Sequence, residues 1–277
     1  MQLKYIRPVS DLHLEAFSGR SSETLAIDFV PSHENDPDAV LVLAGDISSH
    51  PDQLVGFINV LIPRFKKVLF VSGNHEYYRH DYNAWNLEMR DRFAKYSPDL
   101  IHSIGEVGEV VIEDVRFIFA TLWGDGGVSQ KDNFWVDNGL NDFRVIRNGE
   151  GRFKVESMIL LHKYQKSQIA QKLNVAFDGK TVVVTHHLPS RRLVSARFIP
   201  REGGDGINGG FVGDCDNILA YDHAPNIWIH GHTHDTIDTM LWKTRIVCHP
   251  AGYRGEWQSQ FNSYISNGVV NPKFIEL

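Results

Sequence analysis

Hydrophobic residues along the chain fall into short β-branched runs that end abruptly in polar residues. Runs of this kind predict buried strands, and each is followed directly by a polar cluster. In chain order they are Tyr5–Val9, Val40–Ala44, Val68–Val71, Val182–Thr185 and Ile227–Ile229. Because ligands of open α/β sheets bind beyond the carboxyl ends of the strands, the polar residues at these positions are candidates for a functional site.

Apolar residues at helical spacing predict helices between some of these strands, over Ser49–Phe65, Asp81–Tyr96 and Val155–Phe177. The stretch Ile101–Thr121 is instead divided by turn residues into three short strands, which predicts a β-meander. Strands that alternate with helices indicate an α/β or layered α+β fold. The segments 123–151 and 191–213 show no regular pattern, and long loops in compact domains are usually functional, so we expect both to border the active site.

The histidine content is the one unusual feature of the composition, with 14 His in 277 residues. The chain carries 28 Lys and Arg against 34 Asp and Glu, a net charge of −6. This balance argues against non-specific binding to nucleic acid or to an acidic membrane surface, since neither would be attracted. A small anionic substrate would need a local source of positive charge.

Segments that target a protein to a membrane or to the cell exterior are not evident. Residues 1–11 lack the apolar stretch of a signal peptide, and no apolar run approaches the 18 residues of a membrane span. Cys215 and Cys248 do not form a C-x-x-C pair, which disfavours a disulfide framework or a thiolate zinc site. The sequence therefore favours a protein of the reducing cytoplasm.

Two pairs of polar residues share a spacing that aligns side chains on extended backbone. Asp11 and His13 are two residues apart, as are His232 and His234. On a strand this spacing directs both side chains to one face, whereas on a helix it would splay them apart. Repeated imidazoles at this spacing favour a metal site.

Other metal-ligand residue types follow the remaining strands. Asp46 comes after a strand and a glycine, as does Asn74-His75, and His186 ends a strand. Each has an ordinary alternative, since Gly-Asp is a common turn and Asn-His can cap a helix. Taken together, carboxylate, amide and imidazole groups form a mixed oxygen and nitrogen set that suits Mn, Fe, Co, Ni or Zn.

The order of these blocks resembles the signature of the calcineurin-like metallophosphoesterase superfamily. The resemblance spans residues 11–234 and rests on five blocks, Asp11-x-His13, Gly45-Asp46, Gly73-Asn74-His75-Glu76, His186 and Gly231-His232-x-His234. It implies a four-layer αββα sandwich, with two mixed β-sheets flanked by helices. It further implies a compact subgroup in which residues 1–277 form a single domain.

The resemblance also implies a centre of two divalent metal ions. Its pattern assigns Asp11, His13, Asp46 and His234 to one ion, and Asp46, Asn74, His186 and His232 to the other, with Asp46 between them. A bridging hydroxide is the implied nucleophile. His75 is implied to lie beside the substrate phosphate, where it stabilises the transition state or protonates the leaving oxygen.

The implied function is metal-dependent hydrolysis of a phosphate ester, with a small or nucleotide-like phosphodiester, such as a cyclic nucleotide, as the favoured substrate. A phosphomonoesterase and a nuclease with the same site are alternatives. A metal-binding scaffold without catalysis is an alternative of another class, but such a protein would be expected to lose ligands, and all seven are present together with His75.

The sequence leaves two assignments open. Protein phosphatases of the superfamily continue the second block as Gly-Asp-x-x-Asp-Arg and so supply an acidic partner for the third-block histidine. Here Ser49 occupies that position, which argues against such a phosphatase and leaves His75 without an assigned acidic partner. Arg144 either binds the substrate phosphate, as Arg does well, or forms a surface ion pair.

Overall fold

The computed structural model describes residues 2–200, 204–257, 261–266 and 268–277. Its strands are β1 (Tyr5–Val9), β2 (Ala39–Ala44), β3 (Lys67–Val71), β4 (Ile101–Ser103), β5 (Gly108–Ile112), β6 (Val115–Ala120), β7 (Arg147–Asn148), β8 (Gly151–Arg152), β9 (Lys180–Thr185), β10 (Ile227–His230), β11 (Ile237–Leu241), β12 (Thr244–Cys248), β13 (Ile265–Ser266), β14 (Val269–Val270) and β15 (Ile275–Glu276). The α-helices are α1 (Ser22–Phe29), α2 (Pro51–Leu61), α3 (Tyr82–Tyr96), α4 (Gln130–Gly139), α5 (Asp142–Val145), α6 (Val155–Leu173) and α7 (Asp216–Leu219).

Most strands belong to two mixed sheets. The first sheet has the order β15-β1-β2-β3-β4, in which β1 to β4 run parallel and β15 pairs antiparallel with β1. The second has the order β11-β12-β10-β9-β6-β5, in which β11 and β5 are antiparallel edge strands on a parallel centre. Both parallel centres consist of strands buried along nearly their whole length, as expected when each face is covered.

Alternation along the central strands explains how the layers stack. In β2, Val40 and Val42 face the second sheet and pack with residues such as Phe117, whereas Leu41 and Leu43 face outward against α1, α2 and α3. The outer face of the second sheet packs against α6 and α7. This arrangement of helices, two sheets and helices confirms the α/β four-layer αββα sandwich.

The strands predicted from the hydrophobic runs are all present, and the three predicted helices correspond to α2, α3 and α6. Helix α3 starts where the Asp81 carboxylate accepts hydrogen bonds from the backbone N–H groups of Asn83 and Ala84. The predicted β-meander is wrong. Although its three strands exist, β4 pairs with β3 in the first sheet, and the chain then turns at Gly105 (φ +73°) and crosses to the β5–β6 hairpin of the second.

The two segments without a sequence pattern differ in structure. Segment 123–151 contains α4 and α5 and is therefore more regular than the sequence predicts; the Ser129 hydroxyl caps α4 by accepting from the Asp132 N–H at 3.3 Å. Segment 191–213 has only short 3-10 turns in its described part, and residues 201–203 within it lie outside the described residues. Cys215 and Cys248 are free and buried. Within the described ranges, no helix combines the length and apolarity needed to cross a bilayer.

The carboxyl ends of β1, β2 and β3 lie at the same edge of the molecule as those of β9 and β10. The two sheets are tied together at this edge, where Ser10 forms a parallel bridge with Pro250. The Ala251 N–H donates to the Ser10 carbonyl at 2.9 Å, and the Gly252 N–H donates to the Asp11 carbonyl at 3.0 Å. Polar residues that follow the strands of both sheets are thereby brought to one place.

Candidate metal centre

The predicted metal ligands and His75 lie together at this shared edge. The residues after β1, β2 and β3 come from the first sheet, and those after β9 and β10 come from the second. Three overlapping groups of potential ligand atoms, each within 4.8 Å of one another, are Asp11–His13–His234, His13–Asp46–His75 and Asp46–His186–His232. Asp46 belongs to two of these groups, one with His13 and His75 and the other with His186 and His232.

The first group converges from both sheets. His13 Nε2 lies 3.1 Å from His234 Nε2, which is also 3.5 Å from Asp11 Oδ1. The other ring nitrogen of His234, Nδ1, is 2.6 Å from Glu256 Oε2 and donates its proton there. This hydrogen bond directs Nε2 of His234 at Asp11 and His13, so that Nε2 is the nitrogen available to a metal ion once it has lost its proton.

The second group has the same arrangement. His186 Nδ1 donates to the Ala44 carbonyl at 2.9 Å, so that Nε2 faces inward. That nitrogen is 3.1 Å from Asn74 Oδ1, 3.1 Å from His232 Nδ1 and 3.3 Å from Asp46 Oδ2. Atoms that carry lone pairs approach this closely only where a proton or a cation lies between them, so the donor set fits a bound cation.

Backbone conformation at the centre is unusual for residues other than glycine. Five of the residues with positive φ are predicted ligands: Asp11 (54°), His13 (47°), Asp46 (55°), His232 (69°) and His234 (53°). The left-handed region is sterically costly for residues with a Cβ atom and is found mainly at functional sites. Here it turns the chain sharply after β1, β2 and β10 and aims the side chains of these turns at one point.

Close packing of the turns depends on glycine at position 73. A Cβ atom on Gly73 would overlap Asp46 Oδ1, and it would also meet the His186 ring at 2.8 Å. The Asp46 carboxylate can therefore lie against the backbone of the neighbouring turn, where Oδ1 accepts from the His75 N–H at 2.9 Å.

Glu76 fixes the turns after β2 and β3 to each other. Its buried carboxylate accepts four backbone N–H groups: those of Asp46 (2.9 Å), Ile47 (2.6 Å), Ser48 (3.2 Å) and Gly73 (2.6 Å). These turns would otherwise leave buried amide donors without partners. Glu76 is thus a support of the centre that holds Asp46 in position without contacting the ligand atoms.

His75 lies at the side of the cluster in an aromatic and acidic environment. Its ring stacks on Tyr78 with centroids 4.0 Å apart, and its Nε2 is 3.3 Å from the Tyr253 hydroxyl. The acidic group next to it is Glu15, whose Oε1 is 3.6 Å from His75 Nδ1 and 3.5 Å from His13 Nδ1. The sequence alone leaves this partner unassigned. A signal for it exists, because Asp11, His13 and Glu15 are spaced two residues apart.

Buried carboxylates raise the proton affinity of the neighbouring imidazoles. Burial lowers the pKa of His186, but the Asp46 charge outweighs this effect and raises that pKa to about 9. Burial likewise lowers the pKa of His234, while its hydrogen bonds to Asp11 and Glu256 raise the value to about 10. Since protons and divalent cations compete for the same nitrogen lone pairs, the affinity for a cation must increase with pH.

The segment that contains Arg144 borders the centre, but Arg144 itself points away from it. Its exposed guanidinium donates to the Asn138 carbonyl oxygen, and it lines a separate surface depression. Asp142 of the same segment is buried, and its Oδ1 accepts from Asn74 Nδ2 at 2.8 Å. This hydrogen bond turns the Asn74 carbonyl oxygen toward His186.

A cavity of about 370 Å³ opens onto the cluster. Asp46, Asn74, His75, His232 and His234 form part of its lining. Residues of both segments expected near the active site also line it, among them Leu140 and Asn141 from 123–151 and Val194 and Phe211 from 191–213. Arg144 is absent from the described residues that line this cavity.

Comparisons with known proteins agree with this architecture. The chain is 27% identical over 284 residues to the uncharacterized protein L509 of Acanthamoeba polyphaga mimivirus, with 95% of each chain covered. The crystal structure of phosphopantetheinyl hydrolase from Mycobacterium tuberculosis has a similar fold, with a TM-score of 0.70, 17% identity and 94% of each chain covered. The sequence profile of the calcineurin-like phosphoesterase family matches residues 9–236. The chain therefore belongs to the calcineurin-like phosphoesterase family.

Proposed function

We propose that this phosphoesterase hydrolyses small phosphodiesters at a centre of two divalent metal ions. Asp11, His13, Asp46 and His234 would hold one ion, and Asp46, Asn74, His186 and His232 the other. The observation that carries the proposal is the series of three overlapping ligand groups joined through His13 and Asp46, in which His186 and His234 each donate one ring proton outward and direct the other nitrogen inward. Mn, Fe, Co, Ni and Zn suit this mixed donor set.

When bound, two such ions supply an activated water and offset the charge that develops on the phosphoryl group. The protein residues orient the ligands and hold protons. Asp46 is fixed by Glu76 and by the His75 backbone, so its two oxygens are available to both ligand groups without rearrangement.

His75 is proposed as the proton donor to the leaving oxygen. Burial lowers its pKa, but the charges of Asp46 and Glu15 raise the value above its usual level, which favours the imidazolium. Glu15 lies beside Nδ1, and Nε2 is directed toward Tyr253 at the cavity. A proton on Nε2 is therefore available to a substrate in the cavity.

The charge of the cavity favours a diester over a monoester. A phosphate monoester carries a charge of about −1.5 to −2 near neutral pH, whereas a diester carries only about −1. Arg197 is the single Arg or Lys among the described residues that line the cavity, and its guanidinium is paired with Asp235. Apart from the metal ions, the described lining therefore offers little positive charge to balance the second negative charge of a monoester.

The test compares bis(p-nitrophenyl) phosphate with p-nitrophenyl phosphate, using protein stripped by chelation and reloaded with Mn. We expect turnover only after reloading, with the diester preferred in kcat/KM. Asp46→Ala should lose both bound metal and activity, whereas Asp99→Ala, at an exposed position, should retain both. Full metal occupancy without turnover of either ester would contradict the enzymatic function, and a preference for the monoester would contradict the diester assignment.

A further inference from the structure

The cavity has two chemically different walls. One is the polar cluster described above, and the other consists of apolar side chains from segments 123–151 and 191–213 and from the turn after β9. These apolar residues are Leu140, Leu188, Val194, Phe198, Ile207 and Phe211. The volume of about 370 Å³ lies within the range of small-molecule sites, which combine apolar walls with a few polar groups that fix orientation.

The apolar wall starts at the metal ligands and continues to the surface. The Phe211 ring lies 4.8 Å from the His232 ring, measured between centroids. Phe198 and Ile207 are 51% and 42% exposed, although both line a concave surface. A ligand that covers them removes apolar area from water, which is the main favourable term in such binding.

The segments that build this wall are fixed to each other. Arg191 bridges them, with Nη1 and Nη2 each 2.7 Å from an oxygen of Asp125 and with Nε and Nη2 at 3.1 and 2.7 Å from the oxygens of Asp205. The Gly126 N–H also donates to the Gly209 carbonyl at 2.8 Å. Because both segments are held in this way, the wall is formed before a ligand arrives and binding orders little additional chain.

The charges of the wall disfavour a second anionic group. Arg197 lies at its edge, but its guanidinium contacts the Asp235 carboxylate and packs over the rings of Phe198 and Phe261. Glu256 and Asp142 add negative charge to the described lining. An anionic substituent placed here would be desolvated without gaining an unpaired cationic partner from the described lining.

We infer that the apolar wall binds the organic group of the substrate ester and that this group is uncharged and apolar or aromatic. This inference rests on the proposed function, which places the substrate phosphate at the metal cluster. The apolar wall would then favour esters of apolar alcohols and phenols over esters whose organic part carries further phosphates or carboxylates.

Calorimetric titration of the Mn-loaded protein with alkyl methyl phosphodiesters tests this inference directly. Dimethyl, methyl propyl and methyl pentyl phosphate share one diester headgroup and differ only in apolar length, so each methylene buried by the wall should tighten Kd by about fourfold at most. 4-Carboxybutyl methyl phosphate has the same number of carbon atoms as methyl pentyl phosphate, and we expect it to bind more weakly because of its carboxylate.

Variants identify the wall as the source of the effect. Phe198→Ala and Ile207→Ala should flatten the dependence of Kd on chain length, whereas Leu160→Ala, at an exposed apolar position on α6, should leave it unchanged. A flat series in the wild type, the absence of binding, or tighter binding of the carboxylate would overturn the inference. Turnover of bis(p-nitrophenyl) phosphate is measured on the same preparation. If Kd depends on chain length but bis(p-nitrophenyl) phosphate is not turned over, the proposed hydrolysis is refuted and the binding wall is supported. If the diester is turned over but Kd does not depend on chain length, the hydrolysis is supported and the binding wall is refuted.

Discussion

The hydrogen bond between Glu256 and His234 provides a test of the proposed metal centre that leaves the proposed ligands themselves unchanged. Glu256→Gln keeps an oxygen that can accept from His234 Nδ1, now 2.6 Å from the carboxylate, and removes only the charge. Hydrogen bonds to charged groups contribute about 1.5–3 kcal/mol, compared with about 0.5–1.5 kcal/mol for neutral ones. The difference of about 1–1.5 kcal/mol corresponds to a roughly five- to tenfold weaker metal affinity. Since the Glu256 side chain is 40% exposed, solvent screening favours the lower end of this range.

In the proposed assignment only one of two metal-binding steps should respond, because His234 shares a ligand group with Asp11 and His13, whereas His186 and His232 share a different group with Asp46. Competition with a chromophoric chelator resolves the two steps. Glu256→Ala, which also removes the orienting oxygen, should weaken the same step by about 10- to 100-fold. Glu156→Gln on α6 serves as the matched control. Equal weakening of both steps, or an affinity unchanged in the Ala variant, would refute the reasoning.

Three further predictions address proton transfer, pH and the support of the centre. His75→Ala should retain both metals, measured by elemental analysis, but lower kcat by roughly 10²- to 10⁴-fold, and loss of metal would contradict its assignment. Metal binding at pH 7 should release about two protons, because the pKa values of His186 and His234 are raised to about 9 and 10. The heat measured by calorimetry should therefore depend on the buffer, and the metal affinity should rise with pH up to about pH 9 to 10. Glu76→Gln places an amide N–H₂ group against backbone N–H donors and should leave about two of these donors unpaired. The free energy of unfolding, measured in urea, should fall by roughly 2–6 kcal/mol. A decrease of less than about 1 kcal/mol would show that the turns do not depend on Glu76.

The sign of the pH effect on stability follows from the same groups. Without metal, His186 and His234 have pKa values above those of the unfolded chain. Their contribution to stability is therefore fully present below about pH 6.5 and is lost as the pH rises through about 9 to 10. Added metal should reverse this trend, because the ligand nitrogens are then deprotonated at lower pH.

The strands and the polar residues after them could be predicted because both signals are local. A buried parallel strand is a short apolar run, and the residue that follows it is placed by the strand itself, as for Asp46 after β2. The sheet to which β4 belongs depends on a crossing at Gly105 that pairs it with β3, and local pattern contains no information about such a partner. Helix α4 was missed because Phe134 and Trp135 are exposed, so its apolar residues do not lie on one face.

Residues that support the centre were harder to predict than its candidate ligands. Glu256 and Tyr253 reach the site from beyond β12, and Tyr253 is 178 residues away from the His75 ring that it contacts. Asp142 lies within a segment that is expected to border the site, but the sequence favours Arg144 there because its chemistry suits phosphate. Burial decides between them, since Asp142 is enclosed beside Asn74 and Arg144 faces solvent.

The left-handed backbone at Asp11, His13, Asp46, His232 and His234 has a consequence for how this protein can change over generations. Each such conformation costs a residue with a Cβ atom about 1–2 kcal/mol, a cost that glycine does not incur. Glycine would relieve this strain at His13, His232 or His234 and at the same time delete a proposed ligand. At Asp11 and Asp46 it would also remove the carboxylates that accept the backbone N–H groups of His232 and His75. In a lineage with no use for the centre, substitution by glycine would therefore be opposed less at the three histidines than at the two aspartates.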